Sequence, residues 1–356
     1  MTIHSEYGEV LETLSEVYGL GRMLCWGPLG GTRNRNFRLE TASGTWLARK
    51  RHAAYASEEQ IRFDHAVAAY LKARGVATVC PRPLSTQFVK PRQTVGKTFW
   101  KSGADVWEVQ PFVAGTQLRE CHAEDIAALA TELARFHESG ETFPGRFCKL
   151  GLRGETNPAQ MREKVGELEA VSVECARAAA QYLEWLDWAE ALLPDDRFSA
   201  LSCTVVHGDI QPANILVRDG CVAAFVDLDW CAWRPRIYDL GFALLFCCAT
   251  HDTPIGGGDI WSLTQAPRVN QNAFRRLIDT YQKHTHPLTE DEREALPAQI
   301  VLSWCHTRIM GAFKAPAPDR AAFLARPPYD RTELLPGEWD GRITTGFAPD
   351  TSDRKE

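Results

Sequence analysis

Apolar residues at Val10, Leu11, Leu14, Val17 and Tyr18 recur three and four positions apart, which predicts a short amphipathic helix over 8–18, ahead of Gly19 and Gly21. From there to about residue 51 the pattern shortens to strands at 23–26, 36–40 and 45–49. They are separated by Gly27-Pro28-Leu29-Gly30-Gly31 and Ala42-Ser43-Gly44, and together they predict an antiparallel meander. A helix over 57–74 follows, with Ser57 placed to cap it, Ile61, Ala68 and Leu71 facing inward and Gly75 past its end. Strands return at 98–100 and 106–112. Beyond Gly115 the pattern is helical, at 123–138, 158–193, 232–249, 271–283 and 290–312. Two short apolar strands interrupt it between 205 and 228, on either side of Arg218-Asp219-Gly220, a hairpin signal. The expected fold class is α+β: an N-terminal antiparallel sheet lobe over 1–113 and a larger, mainly helical C-terminal lobe over 114–320. An extension rich in proline and charge follows over 321–356, with disorder expected over 350–356.

Composition narrows the functional classes. A chain of 356 residues with 44% hydrophobic positions can bury a large core. A net charge of -6 argues against a general nucleic-acid binder, leaving a small molecule or a protein as partner. Eleven cysteines without a C-x-x-C point to neither a disulfide framework nor a zinc site, and suit a reducing cytosol. The start Met1-Thr2-Ile3-His4-Ser5-Glu6 lacks signal-peptide character and no run nears the ~18 apolar residues of a membrane span, so a soluble, cytoplasmic chain is expected.

The chemistry concentrates between 207 and 227. Residues 207–214 read His-Gly-Asp-Ile-Gln-Pro-Ala-Asn, and Asp227 closes the apolar run Val222-Ala223-Ala224-Phe225-Val226 thirteen positions after Asn214. Carboxylate, amide, carboxylate in that order equips phosphoryl transfer: Asp209 can take the proton of a hydroxyl, while Asn214 and Asp227 offer hard oxygens to Mg²⁺ on nucleotide phosphates. The five-residue interval from Asp209 to Asn214 is that of the kinase catalytic loop. Asp229, two positions on, is either an auxiliary ligand or a solvated acid, with the solvated reading preferred.

These pieces, with Gly30-Gly31-Thr32-Arg33-Asn34-Arg35-Asn36-Phe37 and Tyr238-Asp239-Leu240-Gly241, resemble the aminoglycoside phosphotransferase and choline kinase-like small-molecule kinases from about Leu29 to Leu244. The resemblance implies the two-lobed protein-kinase-like fold, with ATP and Mg²⁺ as cofactors and a small-molecule hydroxyl as acceptor. It implies that His207 braces the catalytic loop and that Asp239, which can also cap the next helix, tethers it. The amides of Gly30, Gly31 and Thr32 would approach the phosphates. Arg49 or Lys50 would supply the phosphate cation: only one of two adjacent strand residues can face inward, Arg49 is preferred and Lys50 stays open. The cation's partner is expected on the following helix at Asp64, with Glu58 and Glu59 as fallbacks. Glu108 to Gly115 resembles the interlobe hinge and places Gln110 and Phe112 at the adenine edge.

The acceptors this implies are an amino alcohol, a sugar, homoserine or an aminoglycoside-like antibiotic. Asp252, Asp259 and 290–292 are weaker candidates for attracting a cationic one, and His251 to Ser262 for a mobile acceptor loop. The triple of Asp209, Asn214 and Asp227 disfavours the alternative, a catalytically inactive kinase-like binding module. A protein kinase proper is disfavoured because no D-F-G or A-P-E fits the twelve positions from Asp227 to Asp239. His284 and His286 lack a third ligand at metal spacing, and Trp26, Trp46, Trp100 and Trp107 read as core.

Overall fold

The structure is a computed structural model that describes residues 3–31, 33–85, 97–253, 255 and 260–335. Helix α1 (Ile3–Val17) precedes strands β1 (Met23–Leu29), β2 (Arg35–Thr41) and β3 (Gly44–Lys50); helix α2 (Glu58–Lys72) then leads to β4 (Phe99–Ser102) and β5 (Asp105–Pro111). The five strands form one antiparallel sheet in the order β1-β2-β3-β5-β4. Side chains alternate across it. Phe37, Leu39, Trp46, Ala48, Trp107 and Val109 form a core with Leu11 and Leu14 of α1, while Val106 and Phe99 pack with Ile61 of α2. The same alternation sends Arg49, Arg51 and Glu108 to the α2 side, where polar partners wait. Ser57 caps α2 as expected, accepting from the Gln60 amide at 3.3 Å.

The C-terminal part is mainly helical. After β6 (Thr116–Gln117) come α3 (Ala123–Glu141), α4 (Pro158–Glu169), α5 (Val173–Leu192), α6 (Asp195–Ala200) and four short strands. These are β7 (Cys203–Val206), β8 (Ile215–Arg218), β9 (Cys221–Phe225) and β10 (Ala232–Pro235). Helices α7 (Ile237–Cys247), α8 (Gln271–His284), α9 (Glu290–Ala312) and α10 (Arg320–Leu324) follow. Helix α7 is buried along its whole length, as its apolar run from Leu240 to Cys247 requires, and α9 packs against both it and α5. The expected α+β architecture is therefore present.

Two predicted helices need correction. The pattern at 158–193 is two helices, because Ser172 caps the second by accepting from the Cys175 amide at 3.1 Å. In the pattern at 232–249, Ala232–Pro235 is not helical: it is strand β10, paired antiparallel with β7 from Ala232↔Val206 to Pro235↔Cys203. Apolar periodicity cannot separate a short buried strand from the helix that follows it, and the β-branched run Thr204-Val205-Val206 of β7 is too short to stand out as the partner of β10.

The two parts are tied at the end of β9. The Phe225 amide donates to the Ala77 carbonyl at 2.7 Å, and Thr78 bridges Phe225 in parallel, so the segment after α2 sits against the catalytic hairpin. No helix among the described residues is long and apolar enough to cross a membrane. The stretch 350–356, expected to be disordered, lies outside the described residues.

Candidate active site

The β8–β9 hairpin turns at Asp219 and Gly220, whose φ values of 53° and 74° are those a tight two-residue turn demands. The hairpin returns the chain so that the Val226 amide donates to the Asn214 carbonyl at 3.0 Å, which sets Asp227 beside the loop carrying Asp209. Asn214 Nδ2 donates to Asp209 Oδ2 at 2.7 Å and to its carbonyl at 3.0 Å, and Gln211 Nε2 lies 3.0 Å from both Asp209 carboxylate oxygens. Asp209, Asn214 and Asp227 thus share one site. Asp227 adopts a left-handed conformation (φ 64°, ψ 62°), which aspartate tolerates better than most side chains. Gly208 has φ +84°, and a Cβ there would collide with the Trp230 backbone carbonyl, so this position of the loop requires glycine.

Asp239 holds the loop from beneath. Its carboxylate accepts from the His207 amide at 2.6 Å and the Gly208 amide at 2.8 Å, and pairs with His137 Nε2 at 3.0 Å. His207 Nε2 donates to the Val226 carbonyl at 3.0 Å while Nδ1 accepts from the Asp209 amide at 3.3 Å, a pattern that fixes the neutral tautomer. Burial pushes the His207 pKa below its ordinary value and keeps the ring neutral. Both side chains therefore occupy bracing positions.

A buried ionic network lies on the other flank. Arg49 reaches Asp229 at 3.0 Å, Asp227 at 3.3 Å and Glu108 at 3.5 Å. Lys50 points the other way and pairs with Asp105 at 2.6 Å near the surface, so Arg49 is the inward cation. Asp64 is not its partner: Asp64 pairs with Arg51 at 2.9 Å and, more closely still, with Lys149. Glu58 does not replace it, since it pairs with Arg62 and Lys101 in solvent. Asp229 is buried rather than solvated, held by Arg49, by Arg51 at 3.2 Å and by Asn34 Nδ2 at 2.7 Å. Arg51, Glu108 and Lys149 were missed in the sequence. Only Arg51 carried a signal there, since residues two apart in a strand share a face.

The expected nucleotide elements lie nearby. The Gly30 carbonyl accepts from Asn36 Nδ2 at 3.0 Å, and a Cβ on Gly31 would sit 2.8 Å from the Asn34 carbonyl oxygen, so the turn has room only for glycine. Thr32 lies outside the described residues. Gln110 lines the cavity formed by Arg49, Asp64, Glu108 and Asp227, whereas Phe112 lies under the Arg38 guanidinium, 5.1 Å from its ring centroid.

The electrostatics favour a cation between the acids. Burial first, then Asp227, push Asp209 up to about 7. Burial also lifts Asp227 to about 6, with Arg49 opposing it. Asn214 turns its amide nitrogen toward Asp209, and its Oδ1 has no hydrogen-bond partner among the described residues. The residues therefore fit Mg²⁺: one amide oxygen and one carboxylate, with the remaining positions left to water and phosphate. No group of three or more His, Cys, Asp or Glu able to hold a metal occurs among the described residues, His284 and His286 included. Gly256, Gly257, Gly258 and Asp259 of the expected acceptor loop lie outside the described residues, and Asp252 pairs with Arg268 at the surface.

Residues 27–269 match the phosphotransferase enzyme family (APH). The homoserine kinase of Beijerinckia indica is 25% identical over 301 residues, 83% of each chain. Among solved structures, an amicoumacin kinase in complex with AMP-PNP and Ca²⁺ superposes with a TM-score of 0.67 at 15% identity, over 92% of this chain and 93% of that one. A microcompartment-associated aminopropanol kinase gives 0.66 at 16% identity, over 89% and 94%. At such identities these two bear on the fold alone.

Proposed function

The chain belongs to the phosphotransferase enzyme family and is a small-molecule phosphotransferase, and we propose that it moves the γ-phosphate of ATP to a hydroxyl of a small amine-bearing acceptor, homoserine or an amino alcohol. The observation that carries this reading is the hydrogen-bonded set of Asp209 and Asn214 with Asp227 beside it. Support for the acceptor comes from the homoserine kinase relative, aligned over four-fifths of both chains.

Asp209 orients the acceptor hydroxyl and takes its proton as the oxygen–phosphorus bond forms and the bond from Pγ to the β-phosphate oxygen breaks, releasing ADP. Asn214 and Asp227 would hold Mg²⁺, which would neutralise charge on the β- and γ-phosphates when bound. Arg49 is positioned to exchange Asp227 for a phosphate oxygen. Gly30, Gly31 and Thr32 would cover the phosphates, Gln110 and Phe112 would border the base, and His207 and Asp239 keep the loop in register. Residues 1–113 would then form the nucleotide lobe and 114–320 the acceptor lobe, with 321–356 appended.

The test is an ATP-consumption assay over homoserine, amino alcohols, sugars and aminoglycosides, with mass spectrometry for an added phosphate. Mg²⁺ with ATP is expected to raise Tm, EDTA to abolish the rise, and at least one hydroxylated amine to be phosphorylated. Absence of both the thermal shift and any transfer would remove the kinase reading and favour a binding module.

A further inference from the structure

The turn between β1 and β2 is fastened to the C-terminal part of the molecule through one side chain. Asn34 closes this turn and is buried, 7% exposed, with both ends of its amide engaged. Its Oδ1 accepts from the His52 amide at 2.9 Å, and its Nδ2 donates to Asp229 Oδ2 at 2.7 Å. The sheet register explains why it points there. Strand β2 pairs Asn36 with Arg49, so two residues back Asn34 comes level with Arg51 on the same face, the one that carries the buried ions. Gly31 packs against the Asn34 carbonyl oxygen, so the place of Asn34 also sets that of the glycine turn.

Asp229 meets it from the turn after β9, two residues beyond Asp227. Its other oxygen, Oδ1, takes Arg49 at 3.0 Å and Arg51 at 3.2 Å, and its carbonyl accepts from Lys149 Nζ at 2.8 Å. One buried carboxylate thus holds the nucleotide turn on one oxygen and the inward cation on the other. A second line of contact runs beside the first. Arg33 donates to the Tyr55 hydroxyl, the Tyr55 ring meets Trp230 edge-on at 4.8 Å, and the Trp230 carbonyl abuts Gly208 of the catalytic loop. Residues 33–34, 52–55 and 229–230 therefore form a clasp between the nucleotide turn and the catalytic hairpin. A hydrogen bond from an amide to a buried carboxylate fixes distance and direction, which apolar contact does not.

We propose that Asn34 is a positioning residue for the nucleotide phosphates: through Asp229 it holds the Gly30–Gly31 turn at a fixed distance from Asp227 and Arg49. This rests on the phosphotransferase reading above, in which that turn covers the phosphates, and adds what aims it. Glycines give the turn a backbone freedom that the Asn34–Asp229 bond removes. A turn already in place spares the nucleotide the cost of ordering it, so the bond acts on affinity. Asn34 itself touches no phosphate in this scheme.

Titration calorimetry with Mg²⁺–ATP, with Tm recorded on the same preparations, tests this without any acceptor. Asn34→Ala is expected to weaken Mg²⁺–ATP binding by about tenfold, the size of losing a hydrogen bond to a charged group. Ser172→Ala, which removes the cap of α5, supplies the comparison: it should lower Tm and leave Kd unchanged. A role for Asn34 confined to folding would give that same pattern. Asn34→Asp sets two carboxylates against each other and should weaken binding further. Combining it with Asp229→Asn reverses the bond: the new amide donates to the new carboxylate, the His52 amide keeps an acceptor and both arginines keep an oxygen. The reversed pair is expected to recover most of the lost affinity, and it decides the matter if Asn34→Ala does not fold. If Asn34→Ala lowers Tm with Kd unchanged, or if the reversed pair binds no better than Asn34→Asp, the positioning role is overturned while the phosphotransferase stands. If the parent itself binds no Mg²⁺–ATP, the nucleotide reading falls and the clasp with it.

Discussion

Replacing Asp209 by asparagine is expected to lower kcat by about 10²–10⁴, the range for removing a positioned general base, with KM for ATP changed only a few-fold. The two states of this side chain explain the size. As a carboxylate, Asp209 accepts from Gln211 Nε2 and Asn214 Nδ2 and can also take the acceptor proton. As an amide it keeps the volume but turns an NH₂ group toward those donors, and it has no basic oxygen to receive a proton. On the proposed reading, ground-state binding of nucleotide would depend on Asn214, Asp227 and Arg49, which the substitution leaves in place. The loop itself hangs on Asp239 through the His207 and Gly208 amides, so Tm should move little. Initial rates of ADP release, with Mg²⁺–ATP thermal shifts on the same preparations, measure both. A variant that retains turnover within a few-fold of the parent would show that Asp209 neither orients nor deprotonates the acceptor.

The site divides into what a contiguous segment can encode and what only folding assembles. His207 through Asn214 and Asp227 were legible because loop, hairpin turn and strand follow one another, and Asp219-Gly220 fixes how they double back. Alternation alone made the cation legible as a pair, and the preference for Arg49, which the structure places inward, came from the resemblance. Strand alternation says that Arg49 and Lys50 face opposite ways, but which face meets the cleft depends on α1 covering one side of the sheet and α2 the other. The ionic partners were not legible. Asp64 belongs to α2, Lys149 to the segment after α3 and Asp229 to the turn after β9, and no local pattern announces that they converge. Asp229 was read as solvated because an isolated acid after a strand usually is. Here Asn34, far away in sequence, closes over it and two arginines balance its charge. Strand β10 was lost for a related reason: its pairing with β7 is a long-range fact, while the apolar run into α7 is local.

Adjacent residues in β3 and just beyond it give the sharpest contrast in stability. Lys50→Met is expected to cost roughly 0–1 kcal/mol, because its pair with Asp105 has side chains 28% and 45% exposed and competes with water. Arg51→Met is expected to cost about 3–5 kcal/mol, the range for removing one partner of a buried ion pair. The Arg51 side chain is 2% exposed and reaches Glu108 at 2.8 Å, Asp64 at 2.9 Å and Asp229 at 3.2 Å. Methionine fills similar space but leaves the Asp64, Glu108 and Asp229 carboxylates with Arg49 and Lys149 as the remaining cations beside them. The pH dependence tests the cause. Burial already raises the Asp64 pKa against the pull of Lys149 and Arg51, and removing Arg51 raises it further. An acid with a raised folded pKa lets the native state bind more protons than the unfolded chain, so stability falls as pH rises above the ordinary carboxylate range. The deficit of Arg51→Met relative to the parent should therefore be larger at pH 8 than at pH 5.5 in urea unfolding, whereas that of Lys50→Met should stay small at both. Equal losses for the two variants would mean that the network is hydrated and that Arg51 does not hold α2 to the sheet.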